Sequence, residues 1–340
     1  MVDLGEIYEP GGYLDMGRII SAPYPFIVAV GCRGCGKTFG TLKYVLEQDV
    51  RFMYMRRTAK QLSIVCNPIF NPFKALNEKL RVEVVPSVSD NYGVFHRLDD
   101  TEKGRLIGYA AALSTFANLR GFDGSDVKLL VWDEFIPEPS ESVKFDEFSA
   151  FCNAVETLNR NRELSGDPAV KVVMLSNSNL LYGGIVAGFH LGDELLEMQE
   201  TGTELLEHSP DMLLVRPRSD AFVERKQDTA LYRLTAGTSF SSMALDNRFT
   251  VEDRERIRPR PLREYIPLAD IKGVVIYKHK SDGTFYASRI RSGTPKVYKD
   301  TESDRRRFLR EQVAVWKAFN RRKLYFESVD VQDAYLQIYD

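Results

Sequence analysis

The sequence predicts an α/β chain built on a largely parallel sheet, and three observations carry that prediction. An apolar run, Phe26-Ile27-Val28-Ala29-Val30, passes directly into Gly31-Cys32-Arg33-Gly34-Cys35-Gly36-Lys37-Thr38. A second run, Val127 to Trp132, ends in the acids Asp133-Glu134, and a third, Val170 to Leu175, ends in Ser176-Asn177-Ser178-Asn179. Strands buried on both faces read as near-continuous apolar runs, and in open α/β sheets ligands gather at their carboxyl ends.

The first run enters a complete G-x-x-x-x-G-K-[ST] pattern. Gly31, Gly34 and Gly36 let the backbone curl so that amide N–H groups and the following helix N-terminus face an anion. Residues Gly31 to Thr38, with Cys32, Arg33 and Cys35 among them, are therefore the expected nucleotide-binding segment, for ATP with Mg²⁺. Lys37 reaches the β- and γ-phosphates and Thr38 offers its hydroxyl to the metal. Thr41, Leu42, Val45 and Leu46 recur at helical spacing behind the loop. Cys32-x-x-Cys35 also matches a redox or half-zinc spacing, but a metal or disulfide inside a phosphate loop would block nucleotide, so these thiols read as reduced and incidental.

A buried strand ending in two acids suits a Walker B segment. Asp133 is expected to hold Mg²⁺ and Glu134 to polarise the attacking water as general base. Asn177, at the end of a neighbouring strand, is the candidate to sense the γ-phosphate or lytic water. Arg51 to Met55 reads as a short strand whose carboxyl end, Arg56-Arg57-Thr58-Ala59-Lys60, serves phosphate, a neighbouring subunit or only solvent. Phe145 to Arg162 reads as an amphipathic helix. Arg160 and Arg162 at its end either complement the helix dipole or present an arginine finger to the next subunit.

With 340 residues the chain exceeds the usual size of one core. The expected domains are 1–215, a helical connector 216–250, and 251–340, the last announced by the breaker Arg258-Pro259-Arg260-Pro261. Residues 80–113 read as a β insertion with residues 99–104 at a hairpin tip. Lys103 and Arg105 in it, and Arg120 beyond it, are candidate nucleic-acid contacts, and an ordinary charged turn is the plainer alternative for the tip. No apolar run approaches the ~20 residues of a membrane span, and the acidic, glycine-containing amino terminus does not resemble a secretion signal. A soluble intracellular protein with no membrane partner is expected. Four cysteines, at 32, 35, 66 and 152, are too few for a disulfide framework.

The net charge of -2 hides an asymmetry: residues 251–340 carry 20 Lys and Arg against 14 Asp and Glu, the preceding residues 26 against 34. The basic end suits a polyanion partner or a solvated face. Within it, Val274 to Tyr277 and Phe285 to Ser288 read as a hairpin around Asp282-Gly283. A helix follows with Arg305, Arg306, Arg307 and Arg310 on one side and Phe308, Val313, Trp316 and Phe319 on the other. The run shows no acids at strand centres of the kind a two-metal nuclease needs.

The order of these motifs resembles the ATPase class that adds a catalytic glutamate to a RecA-like P-loop (ASCE) sheet. The phosphate loop with arginine third, Tyr54-Met55-Arg56-Arg57, Trp132-Asp133-Glu134-Phe135-Ile136 and Ser176-Asn177 together resemble the DNA-packaging (encapsidation) ATPases of small tailed phages, of the phi29 type and related to large terminases. The resemblance continues weakly into Ala244 to Phe249. It implies a homopentameric ring at the portal of a prohead in the host cytoplasm, pumping double-stranded DNA inward, with a structured prohead RNA in some members. It implies a carboxyl-terminal domain similar to the RNase H-like nuclease of large terminases without its catalytic acids. It further implies a trans-acting finger in the region of Arg160, with Arg162 close enough to compete, and a cis role for Arg33 near the γ-phosphate. A helicase-like translocase and a nucleotide-gated assembly protein remain as alternatives.

Overall fold

The computed structural model describes residues 4–89, 92–98, 104–119, 121–137, 145–177, 184–238, 241, 256–321 and 323–338. The chain divides into two compact units, Met1–Asn179 with Glu197–Phe249, and Leu180–Leu196 with Thr250–Asp340. Residues 216–249, read as a connector, fall in the first unit, and the stretch Leu180–Leu196 groups with the carboxyl-terminal residues. Its Asp193 carboxylate accepts from the Val329 amide (3.2 Å), and His190 Nδ1 lies 3.3 Å from Asp330 Oδ2.

The first unit opens with a short helix α1 (Met16–Ile20), strand β1 (Phe26–Gly31) and helix α2 (Lys37–Glu47). Strand β2 (Phe52–Arg56) leads to α3 (Ala59–Val65), begun by a capping box between Thr58 and Gln61, and then to α4 (Lys74–Leu80). Next come β3 (Glu83–Val88), β4 (Tyr92–Leu98), β5 (Arg105–Ala112), β6 (Leu129–Asp133), α5 (Glu147–Asn159) and β7 (Lys171–Asn177). In chain order α6 (Gly184–Gly188), of the second unit, and α7 (Gly192–Thr201), whose residues divide between the units, precede the first-unit hairpin β8 (Leu205–Ser209) and β9 (Met212–Val215). Helices α8 (Asp220–Gln227) and α9 (Ala230–Leu234) follow.

The nine strands form one sheet in the order β3-β4-β5-β2-β6-β7-β1-β9-β8. From β5 to β9 every pairing is parallel, and the antiparallel pairs lie only at the two ends. The expected β insertion is thus part of the main sheet: β5 pairs in parallel with β2, and β3 and β4 extend it as an edge meander. Both faces are covered. Met16, Leu42, Leu62 and Leu76 of α1 to α4 pack on Ile27, Ala29, Tyr54, Val131 and Val173. On the alternate side of β6, Trp132 packs against Phe151 of α5, with ring centroids 4.9 Å apart. Burial on both faces is why these strands read as unbroken apolar runs rather than alternating ones.

The second unit holds a mixed five-stranded sheet of β10 (Tyr265–Ile271), β11 (Val274–His279), β12 (Phe285–Ser288), β13 (Lys296–Tyr298) and β14 (Leu324–Phe326), in the order β13-β10-β11-β12-β14. The hairpin between β11 and β12 forms where Asp282-Gly283 requires it, with Gly283 at φ 72°. The single arginine-rich helix expected after β13 is two helices, α10 (Glu302–Glu311) and α11 (Val313–Asn320), broken at Gln312. The break rotates the buried face of α11 onto Val315 and Ala318, leaving Val313 and Trp316 partly in solvent. Helix α12 (Val329–Leu336) closes the unit.

Candidate nucleotide site at the strand ends

The sheet order builds the site. Strand β7 lies between β1 and β6, with Gly31 in register with Asn177 and Asp133 with Leu175. The glycine loop, the acidic strand end and the polar strand end therefore meet at one edge. In the loop, Gly34 and Gly36 take φ values of 84° and 99°, left-handed geometry that glycine adopts without steric cost. Gly36 is also the N-cap of α2, so the helix N-terminus opens directly onto the loop.

Lys37 is buried. Its ammonium donates to the carbonyl oxygens of Cys32 (2.9 Å) and Gly31 (3.3 Å) and to Asn177 Oδ1 (3.3 Å). Asn177 Nδ2 in turn donates to Glu134 Oε1 (3.1 Å) and Oε2 (3.4 Å). Thr38 Oγ1 donates to Asp133 Oδ1 at 3.1 Å. Five of the expected residues thus stand together. Glu134 itself takes φ 58°, a left-handed conformation rare outside glycine, immediately after β6 ends. Burial raises the pKa of Glu134 above the ordinary carboxylate value, and the neighbouring charge of Asp133 raises it further. The positive charges of Arg56, Lys37 and Arg33 oppose that shift.

Two residues complete the acidic end. Tyr54 OH donates to Asp133 Oδ2 at 2.5 Å, and Arg56 Nη1 lies 3.4 Å from the same oxygen. Burial holds the Tyr54 phenol far above its usual pKa, so it remains a neutral donor. The motif Tyr54-Met55-Arg56-Arg57 carried a family resemblance but no site role for Tyr54, whereas Asp133 had one. The available signal was the i, i+2 spacing of Tyr54 and Arg56, which puts both side chains on one face of a strand end. Arg57, the next residue, points elsewhere. Buried beneath the turn after β6, it bonds Glu147 at the start of α5 and the Phe135 carbonyl.

Other expected residues lie away from the site. Arg160 caps α5 at φ 48° and donates to the Phe122 carbonyl at 2.7 Å, with Asp123 at 3.5 Å. Arg162 donates to the carbonyls of Val127 (2.7 Å), Gly124 (3.1 Å) and Ser125 (2.7 Å). Both stand before β6 begins, and that strand separates them from Asp133 by roughly 15 Å. Arg105 lies at the amino end of β5, ion-paired with Asp49 at 2.7 Å. Lys103, Arg120, Ser178, Asn179 and the stretch Ala244 to Phe249 lie outside the described residues. Among the described residues no group of three or more His, Cys, Asp or Glu is arranged to hold a metal, and no helix is long and apolar enough to cross a membrane.

Fold and site together define a P-loop α/β protein in which an added strand separates the phosphate-loop strand from the acidic one. The profile of the family described as Podovirus DNA encapsidation protein (Gp16) matches residues 2–269. The chain therefore belongs to that family, and its function is DNA encapsidation. It is 26% identical over 264 residues to the DNA packaging protein of Bacillus phage phi29, covering 76% of this chain and 70% of the relative. Its fold matches a chain of the bacteriophage Phi-29 viral genome packaging motor assembly (TM-score 0.68, 21% identity, 98% and 99% of the two chains). It also matches the Phi-28 gp11 DNA packaging motor (TM-score 0.64, 19% identity, 97% of each chain).

Proposed function

We propose that this chain powers DNA encapsidation by hydrolysing ATP at the strand-end site, moving double-stranded DNA into a prohead. The observation that carries the reading is the hydrogen-bonded series Lys37, Asn177 and Glu134, set beside Thr38 and Asp133 at one edge of a parallel sheet.

The residues fit both ligands. The left-handed glycines shape a cradle for phosphate, Lys37 lies inside it, and Arg56 Nε is buried without a hydrogen-bond partner among the described residues, as a donor awaiting an anion. The Thr38 hydroxyl and Asp133 carboxylate are hard oxygen donors suited to Mg²⁺. When bound, that ion supplies charge neutralisation at the phosphate oxygens. Glu134 takes the proton of the attacking water, Asn177 orients that carboxylate, and Lys37 with Arg33 stabilises charge on the transferred phosphoryl group. Arg160, remote from its own site, acts on the site of a neighbouring copy in a homopentameric ring.

The second unit serves as a basic, nucleic-acid and portal-facing module without nuclease activity. Its excess of 20 Lys and Arg over 14 Asp and Glu across residues 251–340 supports the basic, nucleic-acid-facing part of that reading. In the infected cell the ring would work in the host cytoplasm at the prohead portal, with or without a structured RNA. The test is packaging of double-stranded DNA into purified proheads, scored as nuclease-protected DNA with and without this protein and ATP. Protection requiring both supports the reading. Turnover stimulated by single strands alone would favour a helicase-like translocase, and nucleotide binding without DNA-stimulated turnover would favour a gated assembly protein.

A further inference from the structure

Helix α8 packs against the phosphate loop. Phe222 forms a buried cluster with Cys32 and Cys35, which gives those two thiols a packing role the sequence left unassigned. Lys226 Nζ donates to the Arg33 carbonyl oxygen and stands over the rings of Phe222 and Tyr232, at 5.1 and 4.9 Å. A Cβ placed on Gly34 would lie 3.8 Å from both Lys226 Nζ and Phe222 Cζ. The positive charge of Lys226 also acts on both thiols of the loop.

In an anion-binding loop the backbone N–H groups converge on the ligand. A cation bonded to the Arg33 carbonyl fixes the plane of the Arg33–Gly34 peptide, whose opposite end is the Gly34 N–H. It also polarises that N–H, since hydrogen bonds in series strengthen one another. We propose that Lys226 is a positioning residue for nucleotide: it sets the phosphate affinity of the loop through the Arg33–Gly34 peptide and ties loop occupancy to α8. The proposal rests on the ATP-binding reading above.

The test measures equilibrium binding of ADP and ATPγS, together with ATPase kinetics, for the unsubstituted protein, Lys226→Met and Lys226→Arg. Methionine keeps the alkyl packing against the two rings, and arginine keeps the charge. Lys226→Met should bind ADP about tenfold more weakly, the scale of one charge-assisted hydrogen bond. Its kcat at saturating ATP should stay within about twofold, because uniform binding is what is lost. Lys226→Arg should recover most of the affinity. Equal affinities for Lys226→Met and the unsubstituted protein would overturn the proposal alone, as would equal losses in both variants, which would mark a packing effect. Failure of the unsubstituted protein to bind either nucleotide would overturn the ATP-binding reading and the proposal with it.

Discussion

Asn177 holds Glu134 by its amide nitrogen, 3.1 Å from Oε1, while its amide oxygen accepts from Lys37 at 3.3 Å. One side chain therefore links Lys37 to Glu134, and an anion that drew Lys37 away would also be felt at Glu134. Glu134→Gln should still bind ATP but lose turnover by about 10²–10⁴-fold, the usual contribution of a positioned base. Asn177→Ala should lose less activity, because the base remains and only its orientation is lost. Single-turnover ATPase assays on the two variants distinguish these outcomes, and normal turnover in Glu134→Gln would remove the assignment.

With Glu134 as the base, as proposed, its environment predicts the pH dependence. Burial raises its pKa, and Asp133 adds to the effect. A base works only when deprotonated, so activity should fall as pH drops through this raised value, starting above the ordinary glutamate value of about 4.3. The charge of Arg56 opposes the shift. Arg56→Gln should therefore move the acid limb of the kcat profile further up in pH, and a profile unchanged in that variant would contradict the electrostatic account.

Tyr54 bonds one oxygen of Asp133 and Thr38 the other. Removing the Tyr54 hydroxyl leaves the fold's apolar packing nearly intact while leaving Asp133 Oδ2 with only the Arg56 guanidinium at 3.4 Å. Tyr54→Phe should weaken the apparent Mg²⁺ affinity by roughly tenfold, the scale of one hydrogen bond to a charged group. A magnesium titration of ATPase activity reads this directly; an unchanged midpoint would mean that Thr38 and Arg56 fix the carboxylate without Tyr54.

The contiguous parts of the site were legible because each is a short stretch whose chemistry is local. Gly31 to Thr38, Asp133-Glu134 and Asn177 each end a buried run, and burial on both faces produces those runs. What the sequence withheld depends on which strands become neighbours. Tyr54 meets Asp133 because β2 pairs with β6, and Asn177 reaches Lys37 because β7 lies beside β1. The role of Cys32 and Cys35 depends on Phe222, distant in sequence and supplied by α8. The break at Gln312 was invisible to periodicity, since the apolar residues on either side fit one continuous helix almost as well as two.

Arg57 and Glu147 are each only 2% exposed, and their ion pair ties the end of β2 to the start of α5. Breaking a buried pair from one side leaves an uncompensated charge, which costs about 3–5 kcal/mol. Arg57→Met should therefore lower the melting temperature by roughly 6–20 °C. The double substitution Arg57→Met with Glu147→Leu should recover much of that loss, because no charge is then stranded. Calorimetry on both proteins gives the answer, and a double variant no better than the single one would show that the hydrogen bond to Phe135, rather than the pair, carries the stability.

Arg160 and Arg162 are two residues apart and the structure uses them differently. Arg162 spends its guanidinium on three backbone carbonyls at the turn before β6. Arg160 makes one carbonyl bond and one long ion pair, with nearly half its side chain in solvent. Arg160 is thus the one that can leave its contacts at small cost, and it is too far from its own phosphate loop to serve it. Arg162→Ala should chiefly lower thermal stability. Arg160→Ala should leave stability almost unchanged while reducing ring ATPase activity by about 10³–10⁵, the range for an arginine finger. Because the finger and the base would belong to different copies, mixing Arg160→Ala with Glu134→Gln should restore part of the activity: some interfaces then join an intact arginine to an intact glutamate. Inactivity at every mixing ratio, with mixed rings verified by size, would show that Arg160 does not act on a neighbour.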